Sequence, residues 1–163
     1  MTLDTLNASS RDAFVAALGS IVEGSPWAAA RAWGRRPFAS LEALHQAMMA
    51  EVEAASHDEQ LDLLRAHPDL GTHAEMTAAS AGEQAGAGLD RLTPTEFAQL
   101  HALNTAYREK FGFPFLLAVK GSTKHDVLTA LTARLPVTVQ DEFAEALRQV
   151  SRIAWFRLQD VIT

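Results

Sequence analysis

The sequence predicts an all-α fold, a single-domain helical bundle of about eight helices. Residues of high helix propensity (Ala, Leu, Glu, Arg and Gln) dominate the 163 positions. Alternating runs of β-branched residues, which would indicate strands, are missing. Ser and Thr precede several apolar periodic segments, as N-cap residues do. Because a chain of this length fits one hydrophobic core, we expect residues 1–163 to form one domain.

Four helices are expected before residue 67, and each has a recognisable start. The expected starts are Ser9 or Ser10, Ser25 with Pro26 in the first turn, Ser40, and a position near residue 58. The helix that Ser25 opens is short and runs through Trp33. The helix near 58–66 ends at His67, because the residue before a proline is disfavoured in the helical region.

Three helices are expected after residue 92. Thr93-Pro94-Thr95-Glu96 is a capping box with proline at the first helical position, and Gly112 ends the helix that it starts. The apolar stretch 113–121 is expected to be extended and buried. Helices near 124–134 and from about 138 to 161 complete the bundle. One face of the first of these three helices is expected to carry Phe97, Leu100, Asn104, Tyr107 and Phe111.

The segment 77–91 has the weakest helical pattern, because it contains Gly82, Gly86 and Gly88. A flexible loop is the favoured interpretation. The alternative is that the glycines let the backbone approach a ligand closely.

The composition excludes several classes of function. The formal net charge of −6 argues against a general nucleic-acid binder, although one local arginine can still bind an anionic small molecule. The absence of cysteine excludes disulfides, zinc–thiolate sites and cysteine nucleophiles. Neither an apolar run of about 18 residues nor a secretory signal is found, so we expect a cytoplasmic protein without a membrane span.

One arginine of the last helix lies on the wrong face. At 100° per residue, Arg157 falls near the middle of the apolar stripe, whereas Arg148 and Arg152 fall on the opposite face. A guanidinium on a core-facing stripe keeps its charge and needs a partner. It could reach solvent or pair with an internal carboxylate, or it could bind the carboxylate of a substrate.

A candidate site for proton transfer lies in the middle of the chain. His67-Pro68-Asp69-Leu70-Gly71 places an imidazole on a stiff turn at the end of a helix, and the segment from Ser80 to Gln84 adds a hydroxyl, the Glu83 carboxylate and an amide. Such groups suit acid–base chemistry on a small polar substrate. The alternative is an ordinary histidine that caps a helix. Because His67 and His73 are separated by a turn that contains proline, we expect no catalytic metal.

Several motifs, in order along essentially the whole chain, resemble those of the OHCU decarboxylases. These enzymes act on 2-oxo-4-hydroxy-4-carboxy-5-ureidoimidazoline in urate breakdown. The matching motifs are Ser25-Pro26-Trp27, Arg36-Pro37-Phe38, Ala66 to Gly71, Ser80 to Gln84, Ala87 to Asp90, Leu103-Asn104 with Tyr107, Lys110 to Phe115, Arg152-Ile153-Ala154, and Arg157-Leu158.

The resemblance implies an all-helical homodimer that uses no metal or organic cofactor and forms S-allantoin. It identifies His67 as the catalytic histidine and Glu83 as the catalytic carboxylate, and Arg157 matches the family's substrate-binding arginine. It further implies that the substrate is lined by Pro68, Ser80, Gln84 and the backbone of Phe115, Leu116, Leu117, Ala118 and Val119.

Two departures from the family pattern concern the substrate range. The segment between Gly71 and Ser80 is shorter than in many members, and Trp155-Phe156 replaces smaller or basic residues. Two alternative functions therefore stay open: a decarboxylase of a related ureido or hydantoin acid, and a non-catalytic helical binding module of the same fold.

Overall fold

The computed structural model describes residues 1–72 and 76–163, and in these ranges the chain is all-α, as predicted. The described residues form nine α-helices and one turn of 3-10 helix, Trp33–Arg35. The helices are α1 (Leu3–Ala8), α2 (Arg11–Leu18), α3 (Trp27–Ala32), α4 (Leu41–Ala54), α5 (His57–Arg65), α6 (Ala78–Gly86), α7 (Pro94–Phe111), α8 (Lys124–Arg134) and α9 (Val139–Val161). None of these helices, within the described ranges, is long and apolar enough to cross a bilayer.

The chain divides into two compact units. The first unit comprises Met1–Ala66 and Ser151–Thr163, and the second comprises His67–Val150. Helix α9 is continuous in sequence and contributes residues to both units. The expectation of one domain over residues 1–163 stays a prediction.

The first unit forms around capped helices with small and apolar inner faces. The side chains of Thr2, Ser10, Ser40 and Ser56 each accept a backbone hydrogen bond in the first turn of a helix. Ser25 was expected to cap α3, and this expectation is wrong. Pro26 occupies the cap position in a helical conformation, and no side chain caps α3. The core of the unit includes Phe14, Leu18, Ala28, Ala32, Leu44 and Met48.

One asparagine of the first unit fixes an irregular segment of backbone. The side chain of Asn7 donates from Nδ2 to the carbonyl oxygen of Phe38 at 2.9 Å and accepts the Phe38 N–H on Oδ1 at 2.8 Å. Both polar ends of this amide are therefore used. The pair of bonds holds the segment between the 3-10 turn and α4 against the end of α1.

The second unit has the expected long helix, and its capping box is confirmed. Thr93 and Glu96 make reciprocal bonds at the start of α7, and Gly112, with φ at 79°, ends it. The left-handed conformation of Gly112 is one that other residues rarely adopt. Four of the five residues expected on one face are buried: Leu100, Asn104, Tyr107 and Phe111. The fifth, Phe97 in the first turn, is 41% exposed.

The interpretation of 77–91 as a loop is also wrong, because residues 78–86 form α6. Gly82 and Gly86 each cost about 1 kcal/mol relative to alanine in a helix. The Thr77 side chain offsets part of this cost by accepting the Ser80 N–H at 3.2 Å. Ser80 and Gln84, one turn apart, are buried, so tertiary packing decides the conformation.

We expect Glu96 to make the stability of the chain dependent on pH. Its hydrogen bond from Lys124, at 2.6 Å, and then the bond from the Thr93 backbone lower the pKa of Glu96 from 4.5 to about 2. The stabilisation is therefore complete above the unfolded-state pKa and is lost as the pH falls from 4.5 to about 2. In urea unfolding at successive pH values, the wild type should lose its advantage over Glu96→Gln across this window.

The matched control for this experiment is Glu109→Gln, which alters an exposed glutamate of the same helix. This variant should stay parallel to the wild type across the window. If Glu96→Gln also stays parallel, the pairing of Glu96 with Lys124 does not contribute in solution.

Candidate functional site

The residues predicted to form the site fall in both units. All of them except Arg157 belong to the second unit, where they lie on three segments. These segments are the turn after α5, helix α6, and the irregular stretch between α7 and α8. Arg157 lies on α9 in the first unit.

His67 is a buried histidine outside any helix. It follows Ala66, the C-cap residue of α5, and it is 5% exposed. Pro68 holds its own φ near −65° and keeps the preceding residue out of the helical region, so the direction of the chain at His67 is restricted. Histidine is a common acid–base side chain of enzymes, and here its imidazole is shielded from bulk water.

The turn after His67 is held by side chains at three successive residues. Asp69 pairs with Arg108 at 2.9 Å. The carbonyl oxygen of Leu70 accepts a hydrogen bond from Asn104 Nδ2 at 3.0 Å. The N–H of the next residue, Gly71, donates to Gln84 Oε1 at 2.9 Å.

Gly71 is required at its position for two reasons. Its φ is +73°, a conformation that favours glycine. A Cβ atom there would also lie 2.5 Å from Leu100 Cδ2. The turn therefore packs directly onto α7, which also supplies Asn104 and Arg108.

Helix α6 presents Ser80 and Gln84 to the interior, with exposures of 5% and 7%, and Glu83 is partly exposed. The amide of Gln84 is engaged at both ends. Its oxygen accepts the Gly71 N–H, and its nitrogen lies 3.6 Å from Met76 Sδ. The structure thus gives Gln84 a role in holding the turn, in addition to the substrate contact expected from the sequence.

The stretch 115–119 has no regular secondary structure, and it is buried, as predicted, except at Leu117, which is partly exposed. Two of its peptide groups are fixed by side chains. The Leu116 carbonyl accepts a bond from Arg134 Nη1 at 2.6 Å, and the Ala118 N–H donates to Gln149 Oε1 at 3.0 Å. The Ala118 N–H, which was expected to bind substrate, is therefore already used by Gln149.

A buried polar network supports the same stretch. Tyr107 donates from its hydroxyl to Glu142 Oε1 at 2.6 Å, and Arg134 donates from Nε to the same oxygen at 2.6 Å. The Arg134 guanidinium also lies over the Phe115 ring, 4.5 Å from its centroid. Burial, and then the bond with Glu142, raise the pKa of the Tyr107 hydroxyl well above its usual range.

Arg157 is buried, as its position on the apolar stripe predicts, with an exposure of 5%. Its Nη1 lies 3.0 Å from Glu23 Oε2 and 3.3 Å from the carbonyl oxygens of Ser20 and Ile21. The internal carboxylate that was one of the alternatives therefore exists. Gly24, with φ at +59°, permits the turn that carries Glu23, and a Cβ atom at Gly24 would lie 2.8 Å from Ala66 Cβ.

The residues that have roles in this arrangement but were not predicted from the sequence as site residues include Glu23, Asn104, Arg134 and Gln149. A signal existed for two of them. Asn104 and Gln149 are polar residues on the buried stripes of α7 and α9, as Arg157 is. Glu23 lies in a turn, and Arg134 lies at the end of a helix. At such positions hydrophobic periodicity does not indicate which side chains are buried.

The described residues contain no group of three or more His, Asp or Glu side chains placed to hold a metal ion. His73, which was considered together with His67 as a metal ligand, lies outside the described residues.

We expect the Glu23–Arg157 pair to behave as a buried ion pair. Glu23→Gln should destabilise the chain by about 3–5 kcal/mol, because it removes the negative charge that Glu23 places 3.0 Å from a buried guanidinium. Replacing both residues, as Glu23→Gln with Arg157→Met, should recover much of that loss. Urea unfolding of the single and double variants measures this coupling.

The matched control is Glu51→Gln, which removes the partner of the more exposed Arg35, at 2.7 Å. This change should cost about 1 kcal/mol or less. Equal losses for the Glu23 and Glu51 variants, or strictly additive losses for Glu23 and Arg157, would contradict the assignment.

Comparisons with known proteins agree with the motifs. The family model described as OHCU decarboxylase matches residues 7–159. A protein of Halalkalicoccus jeotgali named 2-oxo-4-hydroxy-4-carboxy-5-ureidoimidazoline decarboxylase is 45% identical over 161 residues, which cover 99% of this chain and 92% of that protein. The uric acid degradation bifunctional protein PucL of Bacillus subtilis is 47% identical over 162 residues, which cover 99% of this chain and 33% of that protein.

A solved structure is similar in fold as well as in sequence. The crystal structure of an (S)-allantoin synthase matches with a TM-score of 0.79 and 36% identity, covering 99% of this chain and 54% of that one.

Proposed function

Because this chain belongs to the OHCU decarboxylase family, we propose that it is a carboxy-lyase that converts 2-oxo-4-hydroxy-4-carboxy-5-ureidoimidazoline to S-allantoin in urate degradation. The observation that carries the proposal is the extent of the family match. Residues 7–159 include every residue that we assign to the site. The names of the similar proteins, which include an (S)-allantoin synthase and a uric acid degradation protein, support the product and the pathway.

The reaction makes three demands on a protein. The bond between the ring carbon and the carboxylate breaks, carbon dioxide leaves, and the electron pair of that bond is delocalised into the ring. A carbon of the ring then takes a proton on one face. The site must therefore hold an anion, stabilise the developing charge and deliver the proton from one side.

The proposed roles follow these demands. His67 is the acid–base group, held in a buried turn, and Glu83 on α6 is the catalytic carboxylate. Arg157 binds the anionic substrate through charge-assisted hydrogen bonds, with its guanidinium oriented by Glu23 at 3.0 Å. Pro68, Ser80, Gln84 and the 115–119 stretch line the substrate, while Gln84 also holds the turn at Gly71.

The remaining parts of the proposal rest on the family resemblance. The chain acts without a metal or organic cofactor, as a homodimer, in the cytoplasm. Light scattering coupled to gel filtration tests the dimer, and turnover after exhaustive chelation tests the absence of a metal requirement.

No observation favours the two alternative functions. Trp155, which could have altered the substrate range, packs edge-on against His45 with 5.4 Å between the ring centroids. This contact gives Trp155 a packing role within the first unit. A non-catalytic module would have no need for a buried histidine on a turn held at three successive residues.

We expect His67→Asn to fold normally and to lose most of its turnover. Loss of a single acid–base group typically lowers a rate by about 10²–10⁴-fold. The assay supplies substrate with urate oxidase and hydroxyisourate hydrolase. It follows decarboxylation by ultraviolet absorbance and the handedness of allantoin by circular dichroism.

The control is His125→Asn, which alters an exposed histidine near the start of α8 and should keep full activity. Fast formation of one-handed allantoin by the His67 variant would overturn the assignment of His67. Slow formation of racemic allantoin with the wild type would overturn the proposed function itself.

A further inference from the structure

We propose that Asn104 is a positioning residue for His67. It acts by holding the Leu70 carbonyl and thereby fixing the turn that presents the imidazole. This inference rests on the proposed function, because it assigns to Asn104 an effect on the reaction that His67 performs.

The contact that carries the inference joins two distant parts of the sequence. Asn104 lies on α7, is 5% exposed, and donates from Nδ2 to Leu70 O at 3.0 Å in a buried environment. Leu70 is itself buried, with an exposure of 8%. The bond therefore anchors backbone that has no helix or strand to pair with at this point.

The covalent path from the anchor to His67 is short and stiff. Pro68 and Asp69 alone separate His67 from Leu70. The ring of Pro68 fixes one of the backbone angles between them. A shift of the Leu70 carbonyl is consequently transmitted to His67 with little room for compensation.

The neighbouring anchors show that Asn104 is the central one. Arg108, one turn further along α7, pairs with Asp69, but its side chain is 47% exposed and Asp69 is 27% exposed. Gln84 holds Gly71 from α6. Of these three contacts, the one made by Asn104 joins two buried residues, Asn104 and Leu70. Asn104 also belongs to α7, the long helix of the unit.

The amide of Asn104 is poorly suited to a purely stabilising role. Its oxygen, Oδ1, is buried and has no hydrogen-bond partner among the described residues. The unsatisfied oxygen costs free energy that offsets part of what the bond to Leu70 contributes. By contrast, both ends of the Asn7 amide are satisfied, on the Phe38 backbone of the first unit.

The test compares Asn104→Leu with Asn7→Leu. Leucine has the same branched shape as asparagine, although it is larger, and it removes both the bond to Leu70 and the unsatisfied oxygen. We expect kcat per folded molecule to fall roughly 10- to 100-fold in Asn104→Leu with KM nearly unchanged, together with a lower midpoint of thermal unfolding because the buried Leu70 carbonyl loses its donor. Asn7→Leu should unfold at a clearly lower temperature but keep the wild-type kcat per folded molecule.

A second variant protects the test against a failure to fold. Asn104→Ala also removes the donor to the Leu70 carbonyl, but it adds neither a larger apolar group nor a charge to the buried position. It should show the same loss of kcat. Wild-type kcat in both Asn104 variants would overturn the inference.

A spectroscopic readout separates this inference from the proposed function. In the nuclear magnetic resonance spectrum of the imidazole groups, the His67 signal should move or broaden in the Asn104 variants, whereas the His125 signal should not. A lowered kcat with an unchanged His67 signal would overturn the inference. If the His67 signal moves but His67→Asn is fully active, the positioning by Asn104 stands and the assignment of His67 as the acid–base group fails.

Discussion

The constraint on which the site depends is the pairing of backbone in two irregular segments, 67–72 and 113–121. Neither segment has a strand beside it in the part of the chain that the structure describes. Buried N–H and carbonyl groups that lack a partner are costly, so side chains have to supply the missing hydrogen bonds. Gln84 and Asn104 do so for the first segment, and Arg134 and Gln149 do so for the second. The backbone of these two candidate site segments is thereby fixed by amides and a guanidinium from helices.

Local chemistry accounts for the parts of the fold that could be predicted. The capping box at Thr93, the prolines at 68 and 94, and Gly112 act within one helical turn, so their effect can be seen in a short stretch of sequence. Helix α6 could not be predicted in this way, because its glycines have low helix propensity. The packing of the buried residues Ser80 and Gln84 outweighs that cost, and this packing cannot be seen in a short stretch of sequence. Helix α1 was also missed, since its six residues contain a single buried side chain, Leu6.

The same distinction applies to the candidate site. The buried position of Arg157 follows from periodicity along α9, which is a property of one helix. Its partner Glu23 is 134 residues away in a turn, and no local pattern links the two. Asn104 and Gln149 were visible as polar residues on apolar stripes, but their targets in the backbone depend on tertiary packing. The sequence therefore indicates which polar groups are buried, whereas the structure is needed to say what each of them holds.

Tyr107 gives the second unit an optical property that follows from its burial. It is the single tyrosine of the chain, and its hydroxyl donates to Glu142 in the interior. Because burial raises its pKa, the phenol stays neutral in the folded protein at alkaline pH values where an unfolded chain, with a pKa of about 10, would ionise. Ionisation is then coupled to loss of structure, and the stability of the folded state falls as the pH rises above that value. The absorbance of the tyrosinate thus reports, without any added label, when the core around α7 opens.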